Sequence, residues 1–247
     1  MYQFLKRILP ARARRILRPL AIAYQRRTEV PLQRKLFANF IAPGDLVFDI
    51  GANSGRMTDL FLGLGARVVA VEPQIRVFAR LYEAHAMNKR AHLLQCGVGA
   101  EISGMAEINI CGDVDEVSSF DPKWETIHHA AKFTEKCTVE MFSLQALIAT
   151  YGIPAYCKID VEGWETKVLA GLMTPVPYLS FEIHTHHPDE PNECFRLLAA
   201  LGKYRFNFVP HEHQAFQTPG WFRASDLMDY INTKGWKSGD VFCKLES

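Results

Sequence analysis

Residues 46–74 read LVFDIGANSGRMTDLFLGLGARVVAVEPQ. Leu46, Val47 and Phe48 form an apolar run of strand type, closed by Asp49 and Ile50. Gly51 to Gly55 is a turn of small residues. Met57, Leu60, Phe61 and Leu64 then recur at helical spacing, and Gly63 and Gly65 stop that helix. Arg67 to Val71 is a second β-branched run, ending in Glu72 and Pro73. The unit is strand, glycine turn, helix, strand, acid.

Each part of this unit has a chemical consequence. Gly51 and Gly55 are expected to let a ligand approach the backbone with no Cβ in the way. The helix opened by the turn begins with unpaired N–H groups, which favour a polar or anionic ligand. Glu72 lies 21 residues beyond Gly51, about the spacing at which an acid grips a pair of ribose hydroxyls. The unit therefore predicts a nucleoside-bearing cofactor. A turn that only joins strand to helix needs the same small residues; the acid at 72 is what separates the two readings. The turn is D-x-G-A-N-x-G, not G-x-G-x-x-G. A carboxylate before the first glycine repels phosphate and attracts ammonium, which points away from a nicotinamide dinucleotide and towards S-adenosyl-L-methionine (SAM).

A chain of 247 residues accommodates one domain with trimmings. Its net charge of +1 hides an asymmetry. Residues 1–35 hold ten Lys and Arg against the single acid Glu29, leaving 18 basic and 26 acidic residues in the remainder. The division drawn is a basic helical arm over 1–35 and a cofactor-binding domain over 36–247. The body is not a nucleic-acid binder by charge, and any anionic partner belongs to the arm. Arg12, Arg14, Arg15 and Arg18 load the polar face of short helices broken at Pro10 and Pro19. This suits an anionic membrane surface or an acidic partner; the other option is an arm packed on its own domain or on a second copy in an oligomer. The six cysteines form no C-x-x-C pair, so a reduced, cytoplasmic setting is expected, with the inner membrane surface as the place of any peripheral attachment. No apolar run has the length of a membrane span.

Beyond Gln74, a helix is expected over Ile75–Met87, with Phe78, Leu81 and Tyr82 inward. A third strand follows over Ala91–Cys96, closed by Gly97, Val98 and Gly99. Ala106–Ile110 is half of a hairpin. Residues 112–136 are polar and without clear periodicity, as in a lid or substrate loop. Short strands are expected at Thr138–Phe142, Ala155–Asp160, Tyr178–Ile183, Phe206–Val209 and Val241–Leu245. Helices are expected at 143–151, 163–171 and 192–201, and a connection at 211–240. This alternation predicts an α/β fold with a mainly parallel sheet, helices on both faces and an antiparallel C-terminal strand.

A second motif, KIDVEGWETKVLAGL, covers Lys158–Leu172. Lys158 and Asp160 are two apart on a strand and share a face. Charged residues at the carboxyl end of a buried parallel strand are costly unless used, and that edge is where open α/β sheets bind ligands. With DIGANSG at 49–55, VEP at 71–73, Asn88, the serines at 118–119, KIDVEG at 158–163 and FEIH at 181–184, the chain resembles the FkbM family of SAM-dependent methyltransferases over residues 45–185. The resemblance implies a class I, seven-stranded, Rossmann-like fold. It also implies O-methylation of a hydroxyl on a sugar, glycan or natural-product acceptor. Carried onto this chain, it sets Asp49, Gly51, Asn53 and Gly55 at the methionine end of SAM. Glu72, followed by Pro73, is set at the ribose, Gly97 and Val98 near adenine, and Asp160 beside the sulfonium.

For an alcohol acceptor the protein must supply alignment and a base or metal. The candidates at the sheet edge are Asp160, Glu162, Glu182 and His184, with Lys158 able to hold Asp160 ionised. No metal is expected. Were a divalent ion bound, Asp160, Glu182 and His184 are the ligands this spacing offers, with His186, His187, His211 and His213 nearby in polar turns. Trp124, Trp221 and Phe222 either stack on an acceptor ring or pack under loops. The rival functions are a nicotinamide-dependent oxidoreductase, disfavoured by Asp49, and a non-catalytic scaffold, disfavoured by the full set of site acids.

Overall fold

Strand β1 (Leu46–Ile50) is buried along its whole length, as its unbroken apolar run requires: a strand covered on both faces has no solvent side to leave polar. The structure is a computed structural model that describes residues 29–101, 103–111, 118–120, 133–186 and 189–246. In it β1 is the centre of a seven-stranded sheet. On one side lie β2 (Arg67–Val71) and β3 (Ala91–Leu94), both parallel to it. The small sheet described below holds β4 (Gly97–Gly99), β5 (Ser103–Cys111) and β6 (Phe133–Ser143). On the other side of β1 come β7 (Tyr156–Ile159) and β8 (Tyr178–His184), also parallel. The sheet is completed by β9 (Tyr204–Pro210) and β10 (Ser238–Leu245). The order is β3-β2-β1-β7-β8-β10-β9. The last strand is antiparallel, and it lies one in from the edge, between β8 and β9.

Side chains along each strand alternate between two cores. Phe48, Ile50, Val69, Val71, Ile159, Phe181 and Val241 face one of them. There they meet α4 (Leu144–Tyr151), α5 (Glu165–Ala170), α6 (Asp189–Leu201) and α7 (Ala224–Lys234), through Leu147, Leu169, Leu198 and Leu227. Val47, Val68, Ala70, Tyr156 and Phe242 face the other way. There they meet Phe37 of α1 (residues 29–37), Phe61 of α2 (Arg56–Gly63) and Leu81 of α3 (Ile75–His85). Phe37 sits edge-on to Phe61 and Tyr156, with ring centroids 5.2 and 5.4 Å apart, a geometry that adds to the area buried.

Several expectations change. The main sheet's third strand stops at Leu94, and residues 97–99 instead pair in parallel with β6, in a separate sheet of order β4-β6-β5. Strands β5 and β6 are longer than their apolar runs, because each partner satisfies the other's backbone well past the last hydrophobic residue. In α3 the inward residues are Val77, Leu81 and His85, at i, i+4 and i+8, whereas Tyr82 is 56% exposed. Helix α7 occupies part of the expected connection at 211–240; its buried residues are Leu227 and Ile231, too few to mark a face in a polar stretch. Trp221 packs against Phe40 and Phe216, and Phe222 against Tyr230, so both take the packing role. Trp124, His187, residues 1–28 and most of 112–132 lie outside the described residues. No helix among the described residues is long and apolar enough to cross a membrane.

Candidate active site at the carboxyl edge of the sheet

The alternation that divides the cores also gathers the polar residues. On β7, Tyr156 faces the second core, so Lys158 and Asp160 follow it onto that face. Strand register sets Lys158 beside Asp49 of β1 and beside Ser180 of β8. Glu182 and His184 follow Ser180 on the same face, opposite Asp240 and Ser238 of β10. Because β10 runs antiparallel, its first residues meet the last residues of β8. One face of the carboxyl edge therefore carries Asp49, Lys158, Asp160, Glu182, His184 and Asp240.

Lys158 is the central cation. Its Nζ lies 2.5 Å from Oδ2 of Asp160, with the lysine side chain 7% exposed and the aspartate 37%. Burial alone would depress the Lys158 ammonium, but Asp160, Asp240 and Asp49 around it hold it above its ordinary value. Burial pushes the Asp49 carboxyl up, against the pull of Lys158 and of the Thr58 hydroxyl, which donates to Oδ2 at 2.6 Å. The other oxygen, Oδ1, is buried with no hydrogen-bond partner among the described residues. Burial likewise raises Asp240, opposed by Lys158.

The glycine turn is built for chain contact as well as for access. Gly51 has φ +82°, and a Cβ there would overlap the backbone carbonyl oxygen of Asp160. Gly55 has φ +93°, and its Cβ would come within 2.7 Å of Nε2 of His85 and 2.9 Å of Leu81. The two glycines thus let β1 meet β7 and let α2 meet α3, a reason the sequence does not disclose. Asn53 adopts a left-handed φ of +51°. Its N–H donates to Oε2 of Glu72 at 3.0 Å, and the Gln74 N–H donates to Oε1 at 2.8 Å. Two backbone donors, one on each oxygen, orient the buried Glu72 carboxylate. Gly97 and Val98 are buried in β4.

Glu182 sits between two imidazoles. Nε2 of His184 is 3.3 Å from its Oε1 and Nε2 of His211 is 3.1 Å from the same oxygen. Burial would raise the Glu182 carboxyl; the two imidazoles overcome it and hold Glu182 well below the usual carboxylate range. His211, which follows β9, also meets the Ser238 hydroxyl through Nδ1 at 3.1 Å. Burial tends to lower its imidazolium, but Glu182 lifts it to about 9 from an ordinary 6.5. A group raised on folding lends stability that is complete below the unfolded value and is lost as pH rises through the folded one. The stability advantage of wild type over His211→Gln should therefore shrink as pH rises from 6.5 to 9, read by urea unfolding. An advantage that stays constant across that window refutes the ion pair.

Asp160, Glu162 and Glu182 each present a carboxylate oxygen within 4.8 Å of the other two. The chain thus brings together Lys158, Asp160, Glu182 and His184 among the expected residues. Glu162, also expected at the sheet edge, stands with them, as does His211 of the expected histidines, and the structure adds Asp240 as a close neighbour. Glu162 carries a left-handed φ of +53°, a conformation that costs a non-glycine residue about 1–2 kcal/mol. Glu165 anchors the same turn, accepting the Val161 N–H at 3.1 Å, and burial with Glu182 nearby pushes its carboxyl up to about 8. Asp240 had no signal in the sequence beyond its polarity, and His211 only its place among the histidines of the polar turns, since neither lies in a periodic run that fixes its face.

A parallel sheet in this order, with one reversed strand beside its edge and polar residues collected at its carboxyl ends, is the class I methyltransferase architecture. Residues 49–231, well over half of the chain, match the family described as Methyltransferase FkbM domain. The chain belongs to the FkbM family of SAM-dependent methyltransferases. It is 33% identical over 161 residues to the 31-O-demethyl-FK506 methyltransferase FkbM of Streptomyces tacrolimicus. That match spans 53% of this chain and 61% of the relative, so it covers about three fifths of the relative's length. Among solved structures, the chain aligns with a TehB-like SAM-dependent methyltransferase from Corynebacterium glutamicum, at a TM-score of 0.46 and 8% identity over 96% of this chain and all of the other. It also aligns with Aeropyrum pernix fibrillarin bearing natively bound SAM, at a TM-score of 0.43 and 12% identity over 83% of this chain and 68% of the other.

Proposed function

We propose that the protein transfers the methyl group of SAM to a hydroxyl oxygen of a sugar, glycan or natural-product acceptor. The observation that carries this reading is the Lys158–Asp160 pair at 2.5 Å, set beside Glu162 and Glu182 at the sheet edge. An alcohol is a poor nucleophile, and a positioned carboxylate that can take its proton is what the reaction demands of the protein. The name of the Streptomyces tacrolimicus relative describes a methyltransferase acting on a 31-O-demethyl compound, which supports an oxygen acceptor.

The chain's residues suit the cofactor. Asp49 Oδ1, buried and lacking a hydrogen-bond partner among the described residues, suits an ammonium group such as the one on the methionine end. The Glu72 carboxylate, just beyond β2 and oriented by the Asn53 and Gln74 amides, suits a pair of ribose hydroxyls. When bound, SAM supplies an activated methyl group. Asp160 then accepts the acceptor's proton, Lys158 holds the Asp160 carboxylate in place through the bond at 2.5 Å, and Glu182 with His184 orients the acceptor hydroxyls.

The test has two arms. Calorimetry with S-adenosylhomocysteine should show Glu72→Ala weakened by about 1.5–3 kcal/mol, the worth of hydrogen bonds to a charged group; unchanged affinity removes Glu72 from the site. Incubation with tritiated SAM and a panel of sugars, glycosides and hydroxylated natural products should label an alkali-stable ether. Label found only on nitrogen or carbon overturns the O-methyl reading.

A further inference from the structure

The turn that brings Glu162 into the site is held from outside the main sheet. Ser119, buried, donates its hydroxyl to the backbone carbonyl of Glu162 at 2.6 Å. Ser119 is itself fixed to β5 by two backbone hydrogen bonds with Asn109, of 3.0 and 3.2 Å. The next residue, Phe120, packs its ring 5.7 Å from that of Trp164. One short segment therefore grips the turn on both sides of Gly163: a hydrogen bond before it and a ring contact after it. Between those grips the chain takes two left-handed residues in succession, Glu162 at φ +53° and Gly163 at φ +89°. Glycine adopts that region readily, but glutamate persists there only where its surroundings over-determine it. Ser119 supplies that constraint at the residue whose carboxylate must stand within 4.8 Å of those of Asp160 and Glu182.

We infer that Ser119 is a positioning residue for methyl transfer: its hydroxyl locks the left-handed turn at Glu162 and so sets the Glu162 carboxylate beside Asp160 and Glu182. The inference rests on the proposed reading of those carboxylates as the acceptor side of the site. It gives the small sheet of β4, β5 and β6 a role in catalysis, since Asn109 of β5 is what anchors Ser119.

Ser119→Ala, crystallised with S-adenosylhomocysteine, tests the lock directly. The expected structure shows Glu162 out of the left-handed region, or its carboxylate moved away from those of Asp160 and Glu182. Affinity for S-adenosylhomocysteine should stay within about twofold of wild type. Turnover of tritiated SAM should fall about a hundredfold, as misplacement by an ångström can cost. In a Glu162→Gln background, Ser119→Ala should cost no further turnover, because the group it positions is already neutralised. A Ser119→Ala crystal with Glu162 in its original place overturns the inference, as does a loss that multiplies with that of Glu162→Gln. Should Glu162→Gln alone leave turnover at the wild-type rate, the role given to Glu162 fails, and the crystal still decides the lock. If Ser119→Ala does not fold, Ser119→Cys, similar in volume and a much weaker donor, is read by the same crystallographic outcome.

Discussion

Replacing Asp160 by Asn is expected to slow methyl transfer about a hundred- to ten-thousand-fold, the range for losing a general base, while affinity for S-adenosylhomocysteine stays nearly normal. The substitution keeps the shape and the backbone, including the Asp160 N–H that donates to the Ile50 carbonyl at 2.9 Å. It removes the anion 2.5 Å from Lys158. Lys158 still has Asp49 and Asp240 as charge neighbours, so the buried ammonium is not left uncompensated and the fold should survive. The cofactor-facing residues Asp49 and Glu72 are untouched, which is why binding and turnover should separate. A chelator added to wild type then tells base from metal. Insensitivity favours direct proton transfer to Asp160. Loss restored by Mg²⁺ or Mn²⁺ favours an ion held by the carboxylates of Asp160, Glu162 and Glu182, which lie within reach of one another. Wild-type turnover by Asp160→Asn with a true acceptor removes Asp160 from the chemistry and makes His184 the next candidate base.

Much of this arrangement was legible because local pattern and global role coincide in the two motifs. The D-x-G-A-N-x-G turn had to join β1 to α2, and KIDVEG had to end β7, so strand periodicity alone set Lys158 with Asp160 on one face and Glu182 with His184 on one face, and the register of β7 with β8 makes it the same face. What escaped the sequence is set by contacts between distant segments. His211 reaches Glu182 from beyond β9 because its N–H bonds to the carbonyl of Ser238, which starts β10 beside the end of β8. Asp240 joins the site because an antiparallel strand begins where its parallel neighbour ends. Which sheet residues 97–99 join is not legible, because a strand of three residues has no periodicity to show it. Tyr82 reads as inward because an aromatic residue is apolar on average, yet the face of α3 is set by the stripe of Val77, Leu81 and His85.

Gly51→Ala is expected to destabilise the protein by about 2–5 kcal/mol and to abolish measurable binding of S-adenosylhomocysteine. Two costs add. Alanine at φ +82° must adopt the left-handed region, at about 1–2 kcal/mol. Its methyl group must also displace the Asp160 carbonyl oxygen, and overpacking of this kind costs about 1–3 kcal/mol. The carbonyl has little freedom to move, since the same residue's N–H is hydrogen-bonded to Ile50 and its side chain to Lys158. Any shift opens the gap between the ends of β1 and β7, which carry Asp49 on one side and Asp160 on the other. Gly44→Ala provides the control. Gly44 has a similar φ of +91° but meets nothing within 4 Å where the methyl would stand, so it should lose only the conformational part. Urea unfolding of both variants, with calorimetry of S-adenosylhomocysteine binding, separates the two costs. Equal destabilisation of the two variants, or normal binding by Gly51→Ala, would mean that β1 and β7 do not meet at this glycine.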